Sequence, residues 1–436
     1  MVHDDAPIGF FRMENVMLEH YFVKPSTLDR IRGCWLGSPI ERYVEWLGAH
    51  GYSRATVVGR VPLLFHFADF TQENGCTDIG AARDHVEAFV SEWLNQHGAG
   101  AKTSASLRKH KIYAESVVLQ MLRLVSEGSV KRNRHCQAFP MKSEAPGFAD
   151  YLRKERGLNE ITIYTYRRHL KEFADYLSQA GVVSLSELSP ALLASFIIDR
   201  APRMAPRTRR DLCGHLRVFL RFCHREAIIK RDLNGAVGMS QVYRLNDVPR
   251  SITWDEVRRM LEAVERRTIR GRRDYAILLL LVTYGLRANE VAKLTLDDID
   301  WKRERLQVLS RKAGHSTAYP LAGVVAEALI DYIKRGRPET SDRHLFFRAI
   351  APQAPISSAA VSSSVALYLQ KASIKVHKGG SHTLRHTCVQ RLIDAEFSLK
   401  TIGDYVGHSS SQSTRVYTKV AMSSLREVAM GDGEAL

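Results

Sequence analysis

The sequence predicts a multidomain, mainly α protein in which two related helical modules precede a mixed α/β domain. Three observations carry this reading. A helical segment recurs after 106 residues, a polar proline-containing stretch divides the chain, and behind it two short strand-like segments flank a glycine turn between apolar helices. A chain of 436 residues is long enough for several cores, and 45% apolar with 25% charged residues is an ordinary globular mixture. The predicted boundaries are 1–140 and 141–237 for the helical modules, 238–252 for a linker and 253–436 for the last domain.

The recurrence sets GYSRATVVGRVPLLFHFADFTQENG, from Gly51 to Gly75, against GLNEITIYTYRRHLKEFADYLSQAG, from Gly157 to Gly181. Gly51 matches Gly157, Thr56 matches Thr162, Phe67-Ala68-Asp69 matches Phe173-Ala174-Asp175, and Gly75 matches Gly181. The threonines read as helix N-caps and the closing glycines as helix ends. Chance similarity between two amphipathic helices is the competing explanation. Each module then carries a basic helical stretch. The first holds Lys102, Arg108, Lys109, Lys111 and Arg123, and the second Arg203, Arg207, Arg209, Arg210, Arg217, Arg221 and Arg225. Leu212, Leu216, Val218, Phe219, Leu220 and Phe222 interleave with the second set, which suits a helix buried on one side and facing phosphates on the other. A merely solvated charged face is the alternative.

Thr253 opens the last domain, with Glu256 three residues on in the spacing of a capping box. Asp274 to Thr283 reads as a buried helix running into Gly285-Leu286-Arg287, where glycine turns the chain and presents Arg287 from a rigid junction. Glu290 shares a helix face with Arg287 and can orient its guanidinium, unless the two are a plain surface pair. Arg305–Leu309 and Ser316–Leu321 read as strands around Arg311-Lys312-Ala313-Gly314, so Lys312 sits at or beside a hairpin tip. Val361–Lys371 reads as a helix, followed by a basic, glycine-rich stretch that includes Lys378. A helix beginning near His382 sets Arg385 one turn away, so that both address one phosphate, while His386 is rotated by one position and supports the packing. Leu392–Gly403 reads as a helix and a turn, and Gly407-His408 punctuates the chain before another helix towards Tyr417.

Charge and composition narrow the partners. The formal charge of +16 and pI of about 9.6 favour a polyanion. The six dispersed cysteines show no metal-ligand spacing and read as reduced interior thiols. The longest apolar run, YAILLLLVTY from Tyr275 to Tyr284, is too short to span a membrane. The first residues lack the basic and apolar regions of a signal peptide, so the expected location is cytoplasmic and nucleoid-associated.

Arg287, Lys312, His382, Arg385, His408 and Tyr417 follow one another at spacings of 25, 70, 3, 23 and 9 residues. In this order they resemble the catalytic domain of tyrosine recombinases, the phage integrase family, over about residues 250 to 425. GLRANEVAKLTLDDID resembles the family's first-arginine motif, HTLRHT its histidine–arginine motif, the glycine–histidine pair at 407–408 its second histidine, and Tyr417 its nucleophile. Lys312 matches the family's hairpin lysine. The second helical module resembles the SAM-like core-binding domain. The module before it departs from the commonest two-domain plan and resembles an accessory DNA-binding domain.

The resemblance implies breaking and rejoining of DNA through a 3′-phosphotyrosyl intermediate, with no metal and no cofactor. Arg287 and Arg385 would neutralise the nonbridging oxygens, His408 would add a hydrogen bond, and Lys312 would protonate the departing 5′ oxygen. His382 takes the general-base role, with Glu290 and His386 in support. Lys102, Arg108, Lys109, Lys111, Arg203, Arg207, Arg209, Arg210, Arg217, Arg311 and Lys378 are the candidate DNA contacts. The implied partners are double-stranded recombination sites, further copies of the chain in a tetramer, and accessory recombinases or DNA-bending proteins. The segment after Tyr417 would dock on another protomer or on its own. A catalytically silent architectural DNA-binding protein and a type IB topoisomerase-like enzyme are the competing readings.

Overall fold

The computed structural model describes residues 18–97, 103–128, 139–238, 251–309, 316–377 and 379–407. The chain forms two compact units. Residues 131–246 are one, and residues 1–130 together with 247–436 are the other.

In the first 130 residues the helices Pro25–Gly33, Gly37–Ala49, Arg54–Glu73, Val86–His97 and Ser104–Glu127 enclose one apolar cluster, with Tyr43, Leu64, Phe67 and Val118 at its centre. The Arg54–Glu73 helix starts on Ser53, whose hydroxyl accepts from the Thr56 backbone N–H at 3.4 Å. Thr56 is therefore not the N-cap that the sequence suggests. It stands three residues further on and donates to the cap. The Ser104–Glu127 helix buries nothing before Ala114, so its first turns stand in solvent.

The unit formed by 131–246 has its own core of Phe148, Leu170, Phe173, Phe196, Leu216 and Phe219. Its Glu160–Gln179 helix starts on Asn159, whose side chain accepts from Thr162 N–H at 2.9 Å. The same correction applies here, for the same reason: a short acceptor side chain lies one turn nearer the N-terminus and reaches the orphan donors first. The glycines beyond both helices, Gly75 and Gly181, take left-handed φ values of +70° and +72°. Inside the Pro206–Arg225 helix, apolar side chains face the core at Leu212, Leu216, Phe219 and Phe222. Val237, before the expected linker, is fully buried.

Behind Ile252 the expected capping box is present, with Thr253 and Glu256 exchanging both bonds at the start of Trp254–Glu262. The central helix runs from Ile269 to Tyr284 rather than from Asp274, because Thr268 caps it by accepting from Gly271 N–H at 2.9 Å. It is buried on nearly every side from Ala276 to Val282. Its neighbours are Gly323–Arg335, Ser358–Lys371 and Ser381–Asp394.

A three-stranded antiparallel sheet, β1 (Ile299–Asp300), β2 (Arg305–Val308) and β3 (Thr317–Pro320), lies in that order. Leu306 pairs with Tyr319 and Val308 with Thr317. Leu306, Val308 and Tyr319 alternate inward, as a half-buried strand requires. The expected helix-and-turn at Leu392–Gly403 resolves differently. Ser381–Asp394 is one helix and Leu399–Val406 a second, with Gly403 buried inside it and the turn at Gly407. Among the described residues no helix is long and apolar enough to cross a membrane.

Candidate active site

Two helix C-termini organise the site. The Ile269–Tyr284 and Leu399–Val406 helices both end in a left-handed glycine, Gly285 at φ +60° and Gly407 at φ +65°. The last carbonyls of a helix have no partner within it and carry its negative dipole end, so they attract donors and cations. Here side chains supply both. Arg385 is 4% exposed and donates from Nη1 to the Gly285 carbonyl and from Nη2 to the Val406 carbonyl at 2.8 Å. Arg287 donates from Nη2 to the Gly407 carbonyl, also at 2.8 Å. The two guanidiniums thus meet on consecutive residues of the segment that leads to His408. A side chain at Gly285 would press on Val406 and Cys388, at 3.0 and 3.2 Å from its Cβ, so this position needs glycine for space as well as for conformation.

Glu290 fixes Arg287. Its carboxylate accepts from the Arg287 backbone N–H at 2.9 Å and from Nη1 at 2.7 Å, closing a box at the start of the Ala288–Lys293 helix. Glu290 is nearly buried while Arg287 keeps about a quarter of its side chain exposed (24%), so the carboxylate sits behind the guanidinium.

His382 lies in the first turn of Ser381–Asp394, one turn before Arg385, with an edge open to solvent. Partial desolvation, then Arg385 and Arg287, lower its pKa. At neutral pH it is an uncharged imidazole that can accept a proton. His386 stacks no ring directly on it (centroids 6.3 Å apart) and is pushed down to about 4 by burial, His382 and Arg385. The structure therefore brings together Arg287, Glu290, His382, Arg385 and His386. Lys312, His408 and Tyr417, together with Lys102, Arg311 and Lys378, lie outside the described residues.

Of the remaining candidate DNA contacts, Arg108, Lys109 and Lys111 are exposed on the solvent-standing turns of Ser104–Glu127. Arg203, in the short turn before the Pro206–Arg225 helix, and Arg207, in its first turn, are exposed, while Arg209 and Arg210 are half-buried. Arg217 is engaged inside the fold: Nε and Nη2 both donate to the Val237 carbonyl, at 2.9 and 2.7 Å.

Sequence reasoning missed the carbonyls that hold the arginines, because backbone acceptors leave no residue signature. It also missed a buried ionic centre. Asp274 is fully buried and accepts from Arg273 at 2.7 and 2.9 Å, from Ser364 at 3.3 Å and from Tyr368 at 3.2 Å. Arg273 also donates to the Phe347 carbonyl at 3.0 Å, tying the central helix to the chain beyond it.

Comparison with known proteins gives this architecture its class. Residues 250–424 match the model of the phage integrase family, and residues 146–227 match that of its N-terminal SAM-like domain. A protein described as "Putative integrase/recombinase y4rF", from Sinorhizobium fredii, is 29% identical over 430 residues, covering 98% of each chain. Tyrosine recombinase XerD of Mycobacterium tuberculosis is 30% identical over 304 residues, covering 65% of this chain and 95% of that protein. Among solved structures, the XerH site-specific recombinase bound to a difH substrate matches with a TM-score of 0.51 at 20% identity, over 64% of this chain and 82% of that one. That likeness supports the fold: a helical SAM-like domain followed by a mixed α/β catalytic domain.

The chain belongs to the phage integrase family, the tyrosine recombinases. It is a site-specific DNA recombinase, an enzyme that breaks and rejoins DNA strands by tyrosine chemistry.

Proposed function

We propose that Tyr417 attacks a DNA phosphodiester to give a 3′-phosphotyrosyl bond and a free 5′ hydroxyl, in the integration, excision or transposition of a mobile element. The observation that carries this is the meeting of Arg287 and Arg385 on the carbonyls of Val406 and Gly407, immediately before His408 and ten residues before Tyr417 in the chain. Any phosphate that Tyr417 reaches near this segment meets two cations already held in place. Their donors stabilise charge as it develops on the nonbridging oxygens, without reorganisation at the moment of reaction. Positive charge also favours the phenolate of a tyrosine whose unperturbed pKa is about 10. His382 accepts a proton, His408 adds a hydrogen bond, and Lys312 protonates the 5′ oxygen. The phosphotyrosyl bond conserves the energy of the broken one, so rejoining requires no nucleotide cofactor.

The first module is proposed to be a diverged copy of the SAM-like module. Helices Arg54–Glu73 and Glu160–Gln179 correspond end to end at the 106-residue offset. Each is capped three residues before a threonine, and Val57, Leu64 and Phe67 are buried where Ile163, Leu170 and Phe173 are. It would grip DNA flanking the core site through Lys102, Arg108, Lys109 and Lys111, while Arg203, Arg207, Arg209, Arg210, Arg311 and Lys378 contact the core duplex. Lambda integrase, bound to a core site as a dimer, shares the fold at a TM-score of 0.51 and 18% identity. We propose assembly as a tetramer on paired sites in the nucleoid, with the segment after Tyr417 docking between protomers.

A nicked suicide duplex carrying the recombination site tests the chemistry. Wild type yields a denaturation-resistant protein–DNA adduct, and Tyr417→Phe binds the duplex without forming one. Specific binding by the wild type with no adduct would identify an architectural protein instead.

A further inference from the structure

Three tyrosines outside the proposed reacting set close a ring between the central helix, β3 and the Leu399–Val406 helix. Tyr284 ends the central helix, three residues before Arg287. Tyr319 lies in β3, the strand that follows Lys312. Tyr405 lies in Leu399–Val406, the last helix among the described residues, three residues before His408 in the chain. Their side chains pack in one cluster, with ring centroids 5.0 Å apart for Tyr284 and Tyr319 and 5.1 Å for Tyr319 and Tyr405.

Each hydroxyl donates to the backbone of another of these elements. Tyr284 Oη donates to the Pro320 carbonyl at 2.9 Å and accepts from Ala322 N–H at 2.9 Å, gripping the exit of β3. Tyr319 Oη donates to the Tyr405 carbonyl in the last helix. Tyr405 Oη donates to the Thr283 carbonyl at 3.0 Å, returning to the central helix. The cycle runs from central helix to strand, from strand to last helix, and back.

Apolar packing alone would accept phenylalanine at all three positions, since a buried hydroxyl must find a partner or cost stability. Here every hydroxyl has one, and every acceptor is a main-chain carbonyl. Two of these carbonyls, those of Thr283 and Tyr405, lie in the last turns of the central helix and of the Leu399–Val406 helix, close in the chain to the Gly285, Val406 and Gly407 carbonyls that hold Arg385 and Arg287. The cluster therefore fixes backbone against backbone at the end of the central helix, the exit of β3 and the end of the Leu399–Val406 helix.

We infer that Tyr284, Tyr319 and Tyr405 are positioning residues that hold in mutual register the strand that follows the leaving-group acid in the chain, the helix that precedes the nucleophile, and the end of the central helix that leads to Arg287. This rests on the proposed roles of Lys312 and Tyr417. In the step concerned, Tyr417 gives its hydroxyl proton to His382 and its oxygen bonds to phosphorus, the bond from phosphorus to the 5′ oxygen breaks, and that oxygen takes the Lys312 proton. Tyr319 ties the strand that follows Lys312 in the chain to the Leu399–Val406 helix, so its loss is expected to misplace the acid. Tyr405 ties the Leu399–Val406 helix to the end of the central helix, so its loss is expected to misplace the chain that leads to the nucleophile. A displacement of about 1 Å is enough to slow such a reaction by about 100-fold.

Single-turnover cleavage of two suicide duplexes separates these roles. One carries the ordinary scissile phosphate and the other sulfur in place of the bridging 5′ oxygen. A thiolate, whose conjugate acid has a pKa of about 8.5, leaves without a proton. Tyr319→Phe is expected to cleave the oxygen substrate about 10- to 100-fold more slowly than wild type and to recover on sulfur. Tyr405→Phe is expected to be slowed on both. DNA binding and melting temperature are measured alongside to register any loss of fold. Wild-type rates on oxygen, or equal slowing of both variants on both substrates, overturn the inference. Lys312→Ala is run in parallel: failure of sulfur to rescue it overturns the acid assignment, whereas its rescue without that of Tyr319→Phe overturns only the positioning role.

Discussion

In the Ser104–Glu127 helix the cations stand in water: Arg108, Lys109 and Lys111 are exposed, and apolar burial starts only at Ala114. In the catalytic half, Arg273 and Arg385 are inside, at 6% and 4% exposure, each bonded to main-chain carbonyls. The difference is one of what positions the charge. An exposed lysine or arginine keeps its rotamer freedom and contributes through its field, which salt screens. A buried guanidinium is set by the backbone that accepts its bonds, so it specifies geometry and pays for desolvation with fixed partners. The first kind suits a grip on a duplex; of the second, Arg385 suits a clamp on one phosphate, whereas Arg273 is neutralised by Asp274 and holds the fold.

Arg385 should break this contrast most severely. Arg385→Ala is expected to lower single-turnover cleavage by about 10³-fold, the range for loss of one preorganised oxyanion donor. Arg385→Lys should recover little, because one ammonium cannot span the Gly285 and Val406 carbonyls as a planar fork does. Next comes Asp274. Asp274→Ala leaves Arg273 buried without its counter-charge and should cost about 3–5 kcal/mol in urea unfolding of the catalytic half.

The exposed set should respond differently. Replacing Arg108, Lys109 and Lys111 together by alanine should weaken DNA binding and reduce the slope of log K against log salt by about 2.7, at about 0.9 per phosphate contact. Cleavage of DNA already bound should be unchanged. An unaltered salt slope would remove the front helix from the DNA interface.

Acidification should give the smallest effect. His386 and His215 are both pushed down to about 4, His215 by burial beside His169 and Arg168. Their folded pKa values lie below the unfolded 6.5, so between pH 6.5 and about 4 the unfolded chain binds more protons than the folded one. Stability is therefore full above pH 6.5 and falls below it, by on the order of 1 kcal/mol or more per histidine. Urea midpoints measured from pH 8 to pH 5 check this. His215→Phe, which keeps a ring stacked near Tyr166, should flatten part of the fall in the 131–246 unit.

Much of this arrangement is written locally in the sequence. Thr253 and Glu256 announce their capping box, Gly285 and Gly407 announce two helix ends, and the three-residue step from His382 to Arg385 announces a shared face. Where local signals compete, they mislead by about a turn. Ser53 and Asn159 cap the paired helices because they precede Thr56 and Thr162, and all four side chains are competent caps. The central helix starts five residues before Asp274 because Thr268 caps it, a start hidden in sequence since Arg270, Arg272 and Arg273 look like a surface run although Arg273 and Asp274 are buried as a pair. β1 is two residues long and lacks a period to detect. The tyrosine ring and the carbonyls under the arginines join positions up to 122 residues apart, so only the fold reveals them.

The identity of the attacking atom is the most direct test of the account. Digestion of the denatured adduct with trypsin and nuclease separates Tyr417, in the fragment Val416–Lys419, from Tyr405, in the fragment Thr401–Arg415. A nucleotide mass is expected on the Tyr417 fragment, linked through a 3′ phosphate. A nucleotide on the Tyr405 fragment, or an adduct whose mass maps to neither tyrosine, would contradict it.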